Sequence, residues 1–253
     1  MYKYLLFLLL SVNIFAQNFG WSLYPNKATF NIQKPNNTAI TFLLKGSNVL
    51  YIDWGDGNIQ SFSLNTSTNT TCAHTYTGSI NTIIRFLNPS ILTRIESTTA
   101  SAISFSLSEL AKTPRLTYFD IEGTGDIVTG NLSSLPSVMT YFVCTGSNTI
   151  TGNLSSLPSV MTYFACSGSN TINDYTSPRT WANNMNTLIL TPVAGGGLTA
   201  EMVDNLFIDL ANVATWTGTK AITITGTNAA PTAASADARN TLSTTKGVTI
   251  VTN

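Results

Sequence analysis

The chain has 253 residues, with 12 basic and 12 acidic side chains and a formal charge of zero. Its apolar share of 43% is enough for a packed core, while charged residues make up only 9%, against the roughly 25% usual in soluble domains. The absence of Lys/Arg clusters leaves no electrostatic footprint for nucleic acid or an anionic membrane. One histidine and three cysteines exclude both a zinc site of ordinary Cys/His spacing and a disulfide framework.

Residues 1–16, MYKYLLFLLLSVNIFA, carry Lys3, then an apolar run from Tyr4 to Leu10, then a small residue, Ala16, before Gln17. That pattern predicts a secretory signal peptide, with a mature chain starting near Gln17 and placed outside the cytoplasm, secreted or on a cell surface. No later stretch approaches the ~20 apolar residues of a membrane-spanning helix.

Residues 17–88 read as short strands: Ala28–Ile32, Ala39–Leu44, Val49–Asp53, Ile59–Leu64, Cys72–Tyr76 and Thr82–Leu87. Asn36-Asn37, Gly46-Ser47 and Gly78-Ser79 punctuate them, which predicts an all-β sandwich. The element Asp53-Trp54-Gly55-Asp56-Gly57-Asn58, followed by His74-Thr75-Tyr76, resembles the PKD family, whose mark is a W-x-x-GDG-like turn and a later H-x-Y. The resemblance implies an immunoglobulin-like sandwich. Asp53, Asp56 and Asn58 also offer three oxygen-bearing side chains for calcium. Calcium wants six to eight oxygens and this stretch holds few charges, so a structural turn is the favoured reading. His74 reads as a packed, hydrogen-bonded histidine, since nothing nearby completes a catalytic set.

Residues 89–253 carry an internal repeat. GNLSSLPSVMTYFVCTGSNTIT (130–151) and GNLSSLPSVMTYFACSGSNTIN (152–173) differ only at Val143/Ala165, Thr145/Ser167 and Thr151/Asn173. A fixed period of this size marks a stack of repeating turns. An L-x-x-L-x-L core recurs as Leu92/Ile95/Ser97, Leu116/Phe119/Ile121, Met139/Phe142/Cys144, Met161/Phe164/Cys166 and Met185/Leu188/Leu190, and in half form as Ile222/Ile224 and Val248/Ile250. With Asn148-Thr-Ile150-Thr-Gly152-Asn-Leu154-Ser-Ser-Leu157 matching an N-x-L-x-G-x-L-x-x-L continuation, the region resembles a leucine-rich-repeat solenoid. The resemblance implies one short parallel strand per turn and a concave recognition face. Asn148 and Asn170 are placed to form an asparagine ladder. Helices are expected over Leu198–Val213, capped by Thr199, and over Thr232–Lys246, ended by Gly247, with a last strand at Val248–Val251.

In this phase the outward rows are Arg94/Glu96/Thr98, Tyr118/Asp120/Glu122, Tyr141/Val143/Thr145, Tyr163/Ala165/Ser167 and Thr187/Ile189/Thr191. The candidate ligand-binding residues on the concave face are Tyr118, Asp120, Tyr141, Val143, Tyr163 and Ala165. Two readings of the tyrosine column stand: it grips a glycan or a partner protein, or it only packs across strands. Cys144 and Cys166, one repeat apart, would lie within disulfide range on neighbouring strands, but parallel strands in register lack the crossing geometry disulfides prefer, so reduced, packed thiols are the favoured reading. No cofactor motif, catalytic triad or metal motif occurs, so no enzyme is expected. The expected fold is mainly β, a PKD-like sandwich followed by a repeat solenoid with a few helices in its last turns. The expected function is extracellular recognition or adhesion, a pairing that resembles bacterial surface proteins. The alternative is a self-assembling extracellular filament or virion fibre built by head-to-tail contact, favoured by low charge and an uncapped terminal strand.

Overall fold

Alternation with a period of two builds the first strands. In β2 (Ala39–Gly46) Ile40, Phe42 and Leu44 are buried while the residues between them are half-buried. The computed structural model describes residues 28–33, 39–78, 81–97, 103–122 and 126–253, so the expected leader at 1–16 lies outside the described residues. Beside β2 stand β1 (Ala28–Gln33), β3 (Val49–Asp53), β4 (Ile59–Ser63), β5 (Thr70–Thr75) and β6 (Asn81–Phe86). Each lies within two residues of the position expected from the sequence. The chain is mainly β, with both parallel and antiparallel pairing.

The strands that follow come in pairs, one to each of two sheets. They are β7 (Leu92–Ser97) and β8 (Ile103–Ser106), β9 (Tyr118–Glu122) and β10 (Ile127–Asn131), β11 (Tyr141–Thr145) and β12 (Thr149–Asn153), and β13 (Tyr163–Gly168) and β14 (Thr171–Asp174). β15 (Asn184–Pro192), β16 (Thr215–Ile224) and β17 (Thr249–Thr252) then extend one sheet alone. The eight-stranded sheet runs β14-β12-β10-β8-β1-β6-β3-β4, and the nine-stranded sheet runs β17-β16-β15-β13-β11-β9-β7-β2-β5. At the expected boundary near residue 88 neither sheet breaks. β1 pairs antiparallel with β8 and β2 with β7, after which every neighbour in the repeats is parallel. One apolar core continues through the junction, with Phe42 and Phe86 at 5.4 Å and Phe105 and Phe119 at 5.5 Å linking the sheets.

The repeat phase read from the sequence is the one observed. Leu116, Phe119, Ile121, Met139, Phe142, Cys144, Met161, Phe164 and Cys166 are all fully buried. Phe119, Phe142 and Phe164 stack in an inner column at 5.5 and 5.7 Å. Each turn adds a second strand that the leucine pattern does not announce. Its segment, such as Thr149–Asn153, is short, rich in Thr, Gly and Asn, and buries a single apolar residue, Ile150. Asn131 and Asn153 then cap the 3-10 turns Leu132–Ser134 and Leu154–Ser156, accepting from Ser133 and Ser155 N–H at 2.9 and 2.7 Å. Gly152 is required where the second strand turns: its φ is +117°, and an added Cβ would lie 2.7 Å from Asn131 Oδ1.

The expected asparagine ladder is present. Asn148 Oδ1 accepts from Val128 N–H at 2.8 Å and Asn170 Oδ1 from Ile150 N–H at 3.0 Å, each reaching back one turn. Asp126 fills the preceding position, accepting from Ile103 N–H at 2.9 Å. Asn228 does the same further on, holding Leu198 N–H at 2.9 Å. A second ladder runs through Thr117, Thr140 and Thr162, whose hydroxyls each donate to the carbonyl of the preceding threonine at 3.1 Å. The asparagine and aspartate bonds satisfy backbone N–H groups, and the threonine hydroxyls add a second donor to carbonyls that also accept a backbone N–H from the following turn.

In the last turns helices replace the second sheet. α1 (Ala200–Ala211) is capped by the Thr199 hydroxyl and buries Val203, Leu206, Phe207 and Leu210. The second expected helix, 232–246, is broken into a 3-10 turn, α2 (Ala236–Asn240) and a π turn ending before Gly247. The final strand departs from the expected alignment. Ile222 lies opposite Ile250, two residues beyond Val248, while Val248 is buried ahead of the strand. A shift of two keeps the same side chains inward, so alternation alone cannot distinguish the two registers.

Candidate functional site

The Trp54–Gly57 turn resolves as a structural clasp. Asp53 accepts from Gly55 N–H at 2.9 Å and pairs with Arg85 at 3.1 Å; Asp56 accepts from Asn58 N–H at 3.0 Å and meets His74 Nε2 at 2.7 Å. Gly55 sits at φ +78°, where an added Cβ would lie 2.6 Å from the Ile83 carbonyl oxygen. The side-chain oxygens of Asp53 and Asp56 are thus engaged within the protein, and Asn58 contributes its backbone N–H to the same clasp. Among the described residues no group of three or more His, Cys, Asp or Glu is arranged to hold a metal. Burial raises the Asp56 carboxyl, but the hydrogen bonds from His74 and Asn58 outweigh it, so its pKa falls below the ordinary value.

His74 stacks on Trp54 at 4.9 Å and meets the edge of Tyr76 at 4.6 Å. Tyr76 donates its hydroxyl to the Trp54 carbonyl at 2.9 Å, and Trp54 Nε1 donates to Gln60 at 2.8 Å. The turn and the H-x-Y strand therefore hold each other, with Trp54 fully buried beneath them.

The outer face of the nine-stranded sheet carries the remaining candidates. Parallel register aligns Arg94, Tyr118, Tyr141, Tyr163 and Thr187 in one column. The Tyr118 and Tyr141 rings stack at 4.0 Å and 7°, and Tyr141 and Tyr163 at 4.4 Å and 20°. Arg94 closes the stack, its guanidinium carbon 3.4 Å from the centre of the Tyr118 ring, while its Nε donates to Glu96 at 3.0 Å. Four side chains from four strands form one continuous pile.

The next row is Glu96, Asp120, Val143, Ala165 and Ile189. Tyr118 donates its hydroxyl to Asp120, two residues along the same strand, at 2.9 Å. The rings thus lean along the strands, and the parallel rings of Tyr141 and Tyr163 lie over Val143 and Ala165. This accounts for an unexpected burial: Val143 and Ala165, placed outward by the repeat phase, are only 2% and 6% exposed. They form the floor beneath the tyrosines, and the surface presented is made of ring edges and hydroxyls. Of the six candidate binding residues, Tyr118, Asp120, Tyr141 and Tyr163 are partly exposed. Glu122, exposed beside Asp120, and the Arg94–Glu96 pair join the same patch; their place in the outward rows was the signal for them.

Burial pushes the Asp120 carboxyl up to about 6; the Tyr118 hydrogen bond opposes this, and the nearby charges of Glu122 and Glu96 add to it. Burial likewise raises the three tyrosine hydroxyls, so they stay protonated donors at neutral pH. On the inner side, Cys144 and Cys166 lie directly opposite each other, both fully buried and both free, with thiols raised by burial. Cys72 is also buried and free, its thiol pushed up to about 12 by burial. None offers a thiolate. Among the described residues no helix is long and apolar enough to cross a membrane. Comparison with protein families, with characterised proteins and with solved structures finds no match for the chain.

Proposed function

We propose that the chain is a secreted or cell-surface recognition protein, an immunoglobulin-like PKD-type module merged with a leucine-rich-repeat-like stack, that binds an extracellular protein or glycan. The tyrosine pile on the outer face of the nine-stranded sheet is the observation that carries this reading. Rigid aromatic side chains give contact area at small entropic cost, and these are held in place by stacking before any ligand arrives. The merged core beneath them makes a stiff platform from β2 to β15. The leader-like segment 1–16 supports export.

The test is binding of the full chain to arrays of extracellular proteins and of glycans, with Tyr141→Ala and Tyr163→Ala as comparison. Retention that falls at least tenfold in either variant supports the reading, provided the variants melt like the parent. Retention that ignores both variants overturns it.

One observation favours self-assembly as a second reading. β5 and β17, the outermost described strands of the nine-stranded sheet, run in the same direction, because β5 and β7 are both antiparallel to β2. A second copy could therefore extend the sheet in parallel, β17 against β5, with no charged residue in the last strand to oppose it. Light scattering across a range of concentrations decides: growing, regular polymers support this reading and a constant single-chain mass rejects it.

A further inference from the structure

Most ring faces of the tyrosine pile are already covered. Tyr141 is covered on both sides, by Tyr118 at 4.0 Å and Tyr163 at 4.4 Å, and Arg94 occupies the far side of Tyr118. Sugars bind tyrosine mainly by lying flat on an exposed ring face, and at Tyr118 and Tyr141 that contact is already used within the protein. What remains outward is a line of ring edges and phenolic hydroxyls bordered by carboxylates.

The charges on this face are unequally satisfied. Arg94 is committed to Glu96 and to the Tyr118 ring, and Lys45, next to it in register, donates its ammonium to the Ser67 carbonyl at 2.8 Å. Asp120 receives one hydrogen bond, from Tyr118, and Glu122 is exposed; neither is in an ion pair among the described residues. Two carboxylates two residues apart on β9 thus stand outside any ion pair among the described residues, with the charge of Arg94 reaching Asp120 while its guanidinium is bound to Glu96. Toward β15 the same face carries Thr145, Ser167, Thr191 and Ile189, with no charge.

We propose that this face docks an extended segment of a partner protein, a lysine or arginine of which pairs with Asp120 and Glu122 while its neighbouring aliphatic residues lie along the tyrosine edges toward Ile189. The proposal rests on the recognition reading and narrows it to a basic protein partner. A guanidinium or ammonium at Asp120 and Glu122 would relieve the crowding of negative charge on β9, and the aliphatic stem of such a residue suits the ring edges beside it. Burial is the main cause of the raised Asp120 carboxyl, and a bound cation would lower it.

The experiment probes the full chain on an array of 15-residue peptides graded in Lys/Arg content and, in parallel, on a glycan array. Retained peptides are then titrated against the parent and against Asp120→Asn/Glu122→Gln. Circular dichroism melts check that the variant folds. The expected result is selection of peptides containing Lys or Arg, affinity lowered at least tenfold in the double variant, and weakening between 50 and 300 mM salt on the order expected for exposed charge pairs. Peptides without basic residues, or unchanged affinity in a folded double variant, would overturn the proposal. Glycan binding that depends on Tyr141 without basic-peptide binding would overturn it and leave the recognition reading standing. Failure on both arrays overturns this proposal, and the recognition reading then stands or falls with the extracellular-protein array. Self-association that the double variant abolishes would assign the face to a second copy instead.

Discussion

Replacing Asp126 by Asn isolates the energetics of the ladder. Asp126 is fully buried at the position where Asn148 and Asn170 stand in the following turns, and its Oδ1 accepts from Ile103 N–H. Its Oδ2 has no hydrogen-bond partner among the described residues. In the next turn Asn148 Nδ2 donates to the Ser167 carbonyl at 3.4 Å, and the equivalent acceptor one repeat earlier is the Thr145 carbonyl. Burial raises the Asp126 carboxyl from 3.8 to about 6, with the Ile103 hydrogen bond opposing. Because folding raises this pKa, the folded state holds the proton more tightly than the unfolded state does. The group therefore costs almost nothing below about pH 3.8; its penalty builds as pH rises from there to about 6 and is essentially complete above that. At about 1.4 kcal/mol for each pH unit, the penalty reaches about 3 kcal/mol at pH 7 and only about 1 kcal/mol at pH 4.5. Asp126→Asn removes that penalty and supplies an amide donor for the ladder. The variant should be more stable than the parent by about 3 kcal/mol at pH 7, and the advantage should shrink by about 2 kcal/mol by pH 4.5. Urea unfolding of both proteins at pH 4.5, 5.5 and 7 measures this difference, and every other titrating group cancels between them. A variant less stable at pH 7, or a difference that does not move with pH, would refute the reasoning.

The inner and outer columns should respond unequally to truncation. Phe142→Ala opens a cavity in the fully buried column and should cost about 3–5 kcal/mol, whereas Tyr141→Ala, its half-exposed neighbour, should cost about 1 kcal/mol in the same denaturation assay. Deleting residues 141–162 joins Thr140 to Tyr163 and removes one turn, placing Tyr163 beside Tyr118. The shortened chain should still unfold in one cooperative step, with a smaller denaturant slope in proportion to the lost surface, and an unfolded or aggregated product would count against interchangeable turns. Cys72, Cys144 and Cys166 should resist a thiol-specific reagent at pH 8 until the protein unfolds, and rapid labelling of any of them in the native state would contradict their burial. Gly152→Ala should destabilise by more than about 1 kcal/mol in thermal melts, since φ of +117° is unfavourable to any side chain and Asn131 fills the space.

Much of the layout was legible in the sequence because it is written in local periods. Alternation placed β1 to β6, and the near-identical copies at 130–173 set the phase that buries Phe119, Phe142 and Phe164 and turns Tyr118, Tyr141 and Tyr163 outward. The ladder positions of Asn148 and Asn170 followed from the same repeat, while Asp126 escaped notice because its turn differs in sequence from the two copies. Alternation is also blind to a two-residue slip, which is why the register of Ile222 against Ile250 emerged only from the folded chain. The remaining features depend on residues distant in sequence. Antiparallel pairing of β1 with β8 and of β2 with β7 joins the first strands to the repeats, and no local pattern encodes which edges meet. The closing of both faces of Tyr118 and Tyr141 by neighbours, and the burial of Val143 and Ala165 beneath leaning rings, depend on ring angles set by packing between strands. A column of aromatics can be read from spacing, but which of its surfaces remains free is decided by the contacts among its members.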